Sequence, residues 1–511
     1  MTKESRVKKS LLNARMNLIC YMVSLVVAFF TRKVFLDQLG TEFIGLTSTL
    51  QSLLGFLNLA ELGVGSAIGY VLYKPIFDDN KEKINEIISV FGYLYRCIGL
   101  VILGAGIFLS AFLPWIFPDT TFSWGVIYLG FYAYLFSSML GYFVNYRQTL
   151  LSADQRNYEV TGYYQAVTST KMILQMILAI YIQSFILFLF IEIIFGIIYS
   201  IVLTYRINKV YPWLESDIKL GKQLFKKYPE IGKYIKQLFV HKIATFIQNQ
   251  TTPIFIYSYV SLPIVALYTN YTLLTTKIQS LLNSVLDGTA AGVGNLISEG
   301  DHNKIWNTYQ ELFSIRFFFA CIVTFSTYYL LTPFIQLWLG NEYILNELAT
   351  ILILLQLFFL TMRGVTDQFI FGYGLFYDIW APLVESIIFI VTAIIGGSLW
   401  GFNGVLCSPL ISLLVIVYGW KPYFLFSKGF KQPIFKYWQM FLVNVISPVI
   451  SYTVATTICK LLQFSIGNWK EFVFTALCFI IIFTLINIII TYSINKSFRS
   501  FIHRFIKYRH A

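Results

Sequence analysis

The chain has 511 residues, of which 57% are hydrophobic and only 12% charged, with a mean hydropathy of +0.68. A soluble protein carries about twice that charged fraction, so the composition excludes a water-soluble globular protein and points to an integral membrane protein. The net charge of +13 invites a nucleic-acid reading, but the positions of the basic residues exclude it.

The opening stretch, MTKESRVKKSLLNARMN, has no small-residue cleavage site behind a short apolar core, and reads as a cytoplasmic start followed by a retained first span. The apolar runs are long and unalternating, hence helices rather than barrel strands. Fourteen spans are predicted, at 12–32, 43–71, 86–112, 123–145, 159–182, 184–204, 237–259, 263–289, 306–333, 346–372, 380–399, 403–425, 438–459 and 472–494. The fifth and sixth, and the eleventh and twelfth, are joined by very short connections. In this register 27 loop Lys and Arg residues fall on one side and four (Arg32, Lys33, Lys460, Lys470) on the other. That asymmetry puts both termini in the cytoplasm, where the anionic lipid leaflet is a sufficient partner for the basic excess.

The expected class is therefore all-α integral membrane, with about fourteen transmembrane helices. A basic linker, 205–236, mixes Lys with Leu, Phe, Tyr and Trp at helical spacing and reads as a cytoplasmic amphipathic segment. It separates residues 1–204 (spans 1–6) from 237–425 (spans 7–12), with 426–511 holding two further spans and a basic tail. Span 2 carries QSLL at 51–54 and then GVG at 63–65; span 8 carries QSLL at 279–282 and then GVG at 292–294. The match suggests an internal duplication of six spans.

Several charges remain inside the spans. A mid-span charge costs roughly 2.5–3.5 kcal/mol on insertion scales, so each must face a watery cavity, find a partner or snorkel. Arg96 and Lys277 lie deepest, Lys171 and Arg316 are intermediate, and Arg363 and Asp367 stand i, i+4 on one helix, close enough to neutralise each other. Arg15 and Lys242 sit near span ends and can snorkel. Glu61, Asp367 and Glu385 are the candidate carboxylates for ion coupling or gating. A cationic cavity suits a phosphate, and Gln248, Asn249 and Asn270 offer amides to sugar hydroxyls. There is no GxxxxGK[ST] phosphate loop, no HExxH, no metal-ligand or redox spacing among the six cysteines, and no loop long enough for a catalytic domain. No cofactor, no metal and no enzymatic activity are expected.

Four stretches carry a family likeness: NARMNLICYMVSLVVAFFTRKVFLDQLGTEFIGL at 13–46, LNLAELGVGSAI at 57–68, YRQTLLSADQRNYEV at 146–160, and VALYTNY with GVGNLISEGD at 265–271 and 292–301. In these the chain resembles polysaccharide flippases of the Wzx type, in the superfamily that also holds lipid II flippases and the MATE exporters. The resemblance implies two six-helix lobes around a central cavity, two trailing helices and alternating access. It implies a lipid-linked oligosaccharide on undecaprenyl pyrophosphate as cargo, moved outward across a bacterial cytoplasmic membrane, with proton or Na⁺ coupling as an option. Lipid II flippases carry basic residues in span 2 where this chain has SLLGFLNLAELG, and many relatives carry an acidic residue in span 7 where this chain has NQTTPIF. The alternative class is a cation-coupled small-molecule exporter; a membrane polysaccharide polymerase fits less well.

Overall fold

The computed structural model describes residues 6–509 apart from 62, 119, 155, 287–292, 294, 295, 298, 376, 377, 379 and 465; some side chains within 6–18, 59–70, 237–249, 284–285 and 505–509 also lie outside the description. Among the described residues there is no strand. The chain forms two compact units, Met1–Ala266 and Leu267–Ala511.

The first unit opens with α1 (Arg6–Leu57), whose backbone leaves helical geometry at Gly40, where φ is 83°. A straight helix of 52 residues would be ~78 Å long, far more than a ~30 Å hydrocarbon core, so a break is required. A left-handed φ suits glycine, which has no Cβ to clash. A short 3₁₀ turn (Asn58–Glu61) interrupts the second arm before α2 (Val64–Phe77). Then follow α3 (Lys81–Ser110), the single turn α4 (Leu113–Ile116), α5 (Trp124–Phe143), the short α6 (Gln148–Ala153), α7 (Asn157–Tyr181), α8 (Phe185–Val210), the short α9 (Gly221–Lys227) and α10 (Pro229–Tyr259). Phe43, just past the Gly40 break, stacks on Phe185 and meets Phe188 edge-on at the start of α8, with ring centroids 4.6 and 5.3 Å apart. Helix α11 (Leu262–Leu286) starts in this unit and runs into the second.

The second unit continues with α12 (His302–Trp338), α13 (Glu347–Gly372), α14 (Trp380–Ser412, prolonged through π-turns to Phe430), α15 (Phe435–Leu461), α16 (Trp469–Ile494) and α17 (Lys496–Arg509). Helix α14 breaks at Gly401. In a straight helix Gly396 and Gly404 would stand ~12 Å apart. Instead a Cβ on Gly396 would meet the Gly404 carbonyl oxygen at 2.6 Å, so the chain doubles back here and only glycine fits at the crossing. An aromatic core of Tyr309, Phe313, Phe369, Phe430 and Tyr437 fills the unit.

With the arms on either side of Gly40 and Gly401 taken separately, and 41–57 taken with α2 as one interrupted arm, the long helical arms among the described residues match the fourteen predicted spans one for one. Among the described residues nine helices are long and apolar enough to cross a membrane; α7, α10 and α11 are as long but carry more polar residues. Large apolar side chains face outward on them, such as Leu399 at 65% and Phe108 at 70% exposure, as expected where the solvent is lipid.

The compact units part at 266/267, within α11. Helix α10 begins at Pro229, which is suited to the first helical position, and it packs on α1 and α2. The linker is strapped along α3 rather than lying apart from it. Lys227 pairs with Glu86 at 2.7 Å, Tyr228 donates to the same carboxylate, and the Glu215 and Asp217 amides donate to Asn85 and Ser89. Gly221 sits so close to Ser89 and Tyr93 that a side chain would not fit. The glycines Gly292 and Gly294 of the second GVG lie outside the described residues.

Candidate functional site

Inside the first unit lies a cavity of about 570 Å³, lined from the 3₁₀ turn, α3, α5, α7 and α8. The 3₁₀ turn brings Asn58 and Glu61 to its wall. Gly63, with φ 89°, lets the chain restart as α2 immediately afterwards. Glu61 accepts hydrogen bonds from the Tyr95 hydroxyl at one oxygen and from the Tyr142 hydroxyl at the other, the latter at 2.8 Å. Tyr142 also lies 3.0 Å from Asn58 Oδ1, to which Ser138 donates at 3.2 Å. Across the cavity, Lys171 Nζ of α7 sits 2.9 Å from both oxygens of Glu192 of α8. Asn145 lines the wall with its Oδ1 buried and without a donor among the described residues. The described lining thus holds two carboxylates and one ammonium, with hydroxyls and amides between them.

A second charged cluster stands in the second unit. Asp367 Oδ2 accepts from Arg363 Nε at 2.8 Å, the i, i+4 contact that the spacing predicts, and Oδ1 accepts from Lys421 Nζ at 2.7 Å. Glu385, 1% exposed, lies 4.0 Å from Arg363 Nη1. Two cations therefore face two carboxylates. Lys421, read from sequence as a cytoplasmic loop residue, is drawn into this cluster because α14 stays helical through its π-turns.

Arg316 is buried at 3% exposure. It donates to the Thr361 carbonyl at 2.6 Å and to Asn283 Oδ1 at 2.9 Å, tying α12 to α13 and α11. Its guanidinium lies where a Cβ on Gly364 would stand. Lys277 is half-buried on α11 and Asn270 fully buried. Arg96 is on the exposed face of α3, next to Tyr95 in sequence but turned from it, so tyrosines rather than this arginine hold Glu61. The side chains of Gln248 and Asn249 lie outside the described residues.

The family-like stretch 146–160 forms an ion-pair knot at the end of the bundle. Glu159 accepts from Arg206 at 2.5 Å and faces Arg156 at 3.6 Å; Asp154 accepts from Arg156 at 3.0 Å and from the Tyr211 hydroxyl at 2.9 Å. Tyr95, Tyr142 and Lys421 are not among the sequence-derived candidates, and Glu192, legible as an intramembrane carboxylate, has no site role there. Glu192, the one acidic residue of the sixth span, stands 21 positions from Lys171 across a two-helix hairpin, and that was the available signal.

No family profile matches this chain, and no curated protein matches it. Solved structures do. The lipid II flippase MurJ in an inward closed conformation superposes with a TM-score of 0.65 over 94% of this chain and 99% of that one, at 16% identity. An inward-facing multidrug resistance MATE transporter of the MOP superfamily gives 0.57 over 80% and 99%, at 14% identity. The MATE transporter VcmN of Vibrio cholerae, as a point mutant, gives 0.50 over 83% and 99%, at 12% identity. The chain is a multi-pass membrane protein with the fold seen in the lipid II flippase MurJ and in these MATE transporters.

Proposed function

We propose that this protein is a transporter rather than an enzyme. It flips an oligosaccharide on undecaprenyl pyrophosphate from the cytoplasmic to the outer leaflet of a bacterial cytoplasmic membrane, by alternating access, for surface polysaccharide synthesis. The observation that carries the reading is a polar, charge-bearing cavity inside a membrane bundle of this fold, since such groups are costly in hydrocarbon unless they serve a pathway. One neighbour in fold is named for flipping lipid II. The motifs at 13–46, 57–68 and 146–160 add the Wzx-type likeness.

Ion pairing narrows the roles. We assign the pyrophosphate and sugar contacts to Arg96, Lys277, Lys171, Arg316 and Arg363 with Gln248, Asn249 and Asn270, of which Lys171 and Arg363 are each engaged by a carboxylate. Among the coupling candidates, Asp367 is held between two cations and Glu385 lies beside Arg363, so both already have a cationic partner. Glu61 is held by phenols alone among its described hydrogen-bond partners, and it faces a cavity with one carboxylate in excess. Glu61 is therefore the proton or Na⁺ carrier in this reading.

The chain reconstituted in vesicles, supplied with lipid-linked oligosaccharide, tests this. Glu61→Gln removes the response of flipping to an imposed proton or Na⁺ gradient. Arg96→Ala with Lys277→Ala lowers flipping at every gradient. Wild-type flipping in Glu61→Gln under all gradients, or normal flipping in the double variant, overturns the corresponding role. The excess carboxylate also favours a second reading, a cation-coupled exporter of small cationic molecules. Gradient-driven efflux of such a dye, with no flipping, would establish it instead.

A further inference from the structure

We infer that α17 is a ledge that binds anionic phospholipid headgroups. The helix follows α16, a membrane span, with only Asn495 between them, so it lies at a membrane surface. Asn495 fixes the corner. Its side chain accepts from the Phe498 amide at 3.0 Å and donates to Ser314 at 3.1 Å and Asn444 at 2.9 Å. The apolar face of α17 is already engaged, since Phe498, 3% exposed, packs on Ile315 and Phe318 of α12, with Phe501 and Ile502 beside it. Glu311 of α12 accepts from Ser500 at 2.8 Å and from Arg504, which seats the helix from its other flank.

The face left outward is cationic. Lys496 and Arg499 are exposed, and the sequence places Lys507 further along the same helical row, while Arg504 is held by Glu311. From 496 to 511 there is no acidic residue to balance them. Lys496, Arg499 and Lys507 recur at helical spacing, so their positions form one row along the helix rather than a scattered excess. A cationic stripe at a bilayer surface, whose apolar counterpart is already occupied by protein, has anionic headgroups as its complementary partner. Arg499 also donates to the Tyr492 and Ser493 carbonyls at 3.1 and 2.9 Å, closing the last turn of α16. Headgroup binding at this stripe therefore bears directly on the end of the last span.

The test reads the preference of the full chain for spin-labelled phosphatidylglycerol over spin-labelled phosphatidylcholine, in vesicles of mixed composition, from the motionally restricted fraction. The chain has many other lysines, so a matched control is needed. Lys496→Gln with Lys507→Gln lowers the preference by roughly fivefold per charge removed at the stripe, and added salt does the same to the wild type. Lys222→Gln with Lys226→Gln, two charges lost from the linker, lowers it less. Arg499→Lys, which keeps the charge, leaves the preference in place. An equal or larger loss in the linker variant, or no loss in the tail variant, overturns the assignment.

Discussion

Lys171 and Glu192 illustrate how a bilayer treats paired and unpaired charge. Together they form a contact at 2.9 Å, with side chains 19% and 16% exposed, next to a cavity. Removing either leaves the other uncompensated, at a cost of about 3–5 kcal/mol when buried, while replacing both with apolar residues is often neutral. Lys171→Met and Glu192→Leu each lower the thermal midpoint in detergent, and the double variant recovers most of the loss. Additive losses in the double variant would show that the two side chains act independently. The sequence shows both as charges inside spans but does not pair them. Arg363 and Asp367 are visible as a pair because they share a helix, where i, i+4 spacing fixes proximity. Lys171 and Glu192 sit on neighbouring helices, and their meeting depends on how those helices are rotated and staggered, which no spacing rule encodes. Glu61 was legible as an intramembrane carboxylate, but its tyrosine partners were hidden among the many aromatics of the chain.

Helices α15 and α16 are joined by a polar seam in an otherwise apolar pair. Asn487 Oδ1 accepts from Ser447 at 2.8 Å and from Thr491 at 3.3 Å, while Ser447 and Thr491 hydroxyls lie 2.6 Å apart. Ser451, packed against the same seam, is fully buried. Lipid tails give no hydrophobic drive to helix pairing, so small residues and hydrogen bonds hold such an interface. Asn487→Leu removes the shared acceptor and destabilises the pair by about 1–2 kcal/mol. Thermal unfolding in detergent measures it, and an unchanged midpoint would assign the seam to packing alone. Span positions were legible because hydropathy and length report them directly. The hairpin at Gly401 was legible as a very short connection between two spans. The π-turns after Ser412 were not, because they alter helical winding without altering the apolar pattern.

The two compact units divide the chain near its middle. Composition marked the linker because it is charged, but its contacts with α3 attach it to the first unit. Charge bias also carries a topological expectation. With Lys470→Cys and Lys219→Cys introduced singly in a background lacking the native cysteines, an impermeant thiol reagent on intact cells reaches the first and not the second. Labelling of both, or only of Lys219→Cys, would reverse the assigned orientation. The break at Asn58–Glu61 has a consequence for how the chain is made. The arm before it, 41–57, and the arm after it, Val64–Phe77, both fall short of the ~20 residues that carry a helix across a membrane. Neither half offers the insertion machinery a complete span, and the carboxylate of Glu61 lies between them. The second span therefore enters the bilayer as a composite, drawn in with the first around Gly40, and the residues that later line the cavity of the first unit are those that make its biogenesis depend on its neighbour.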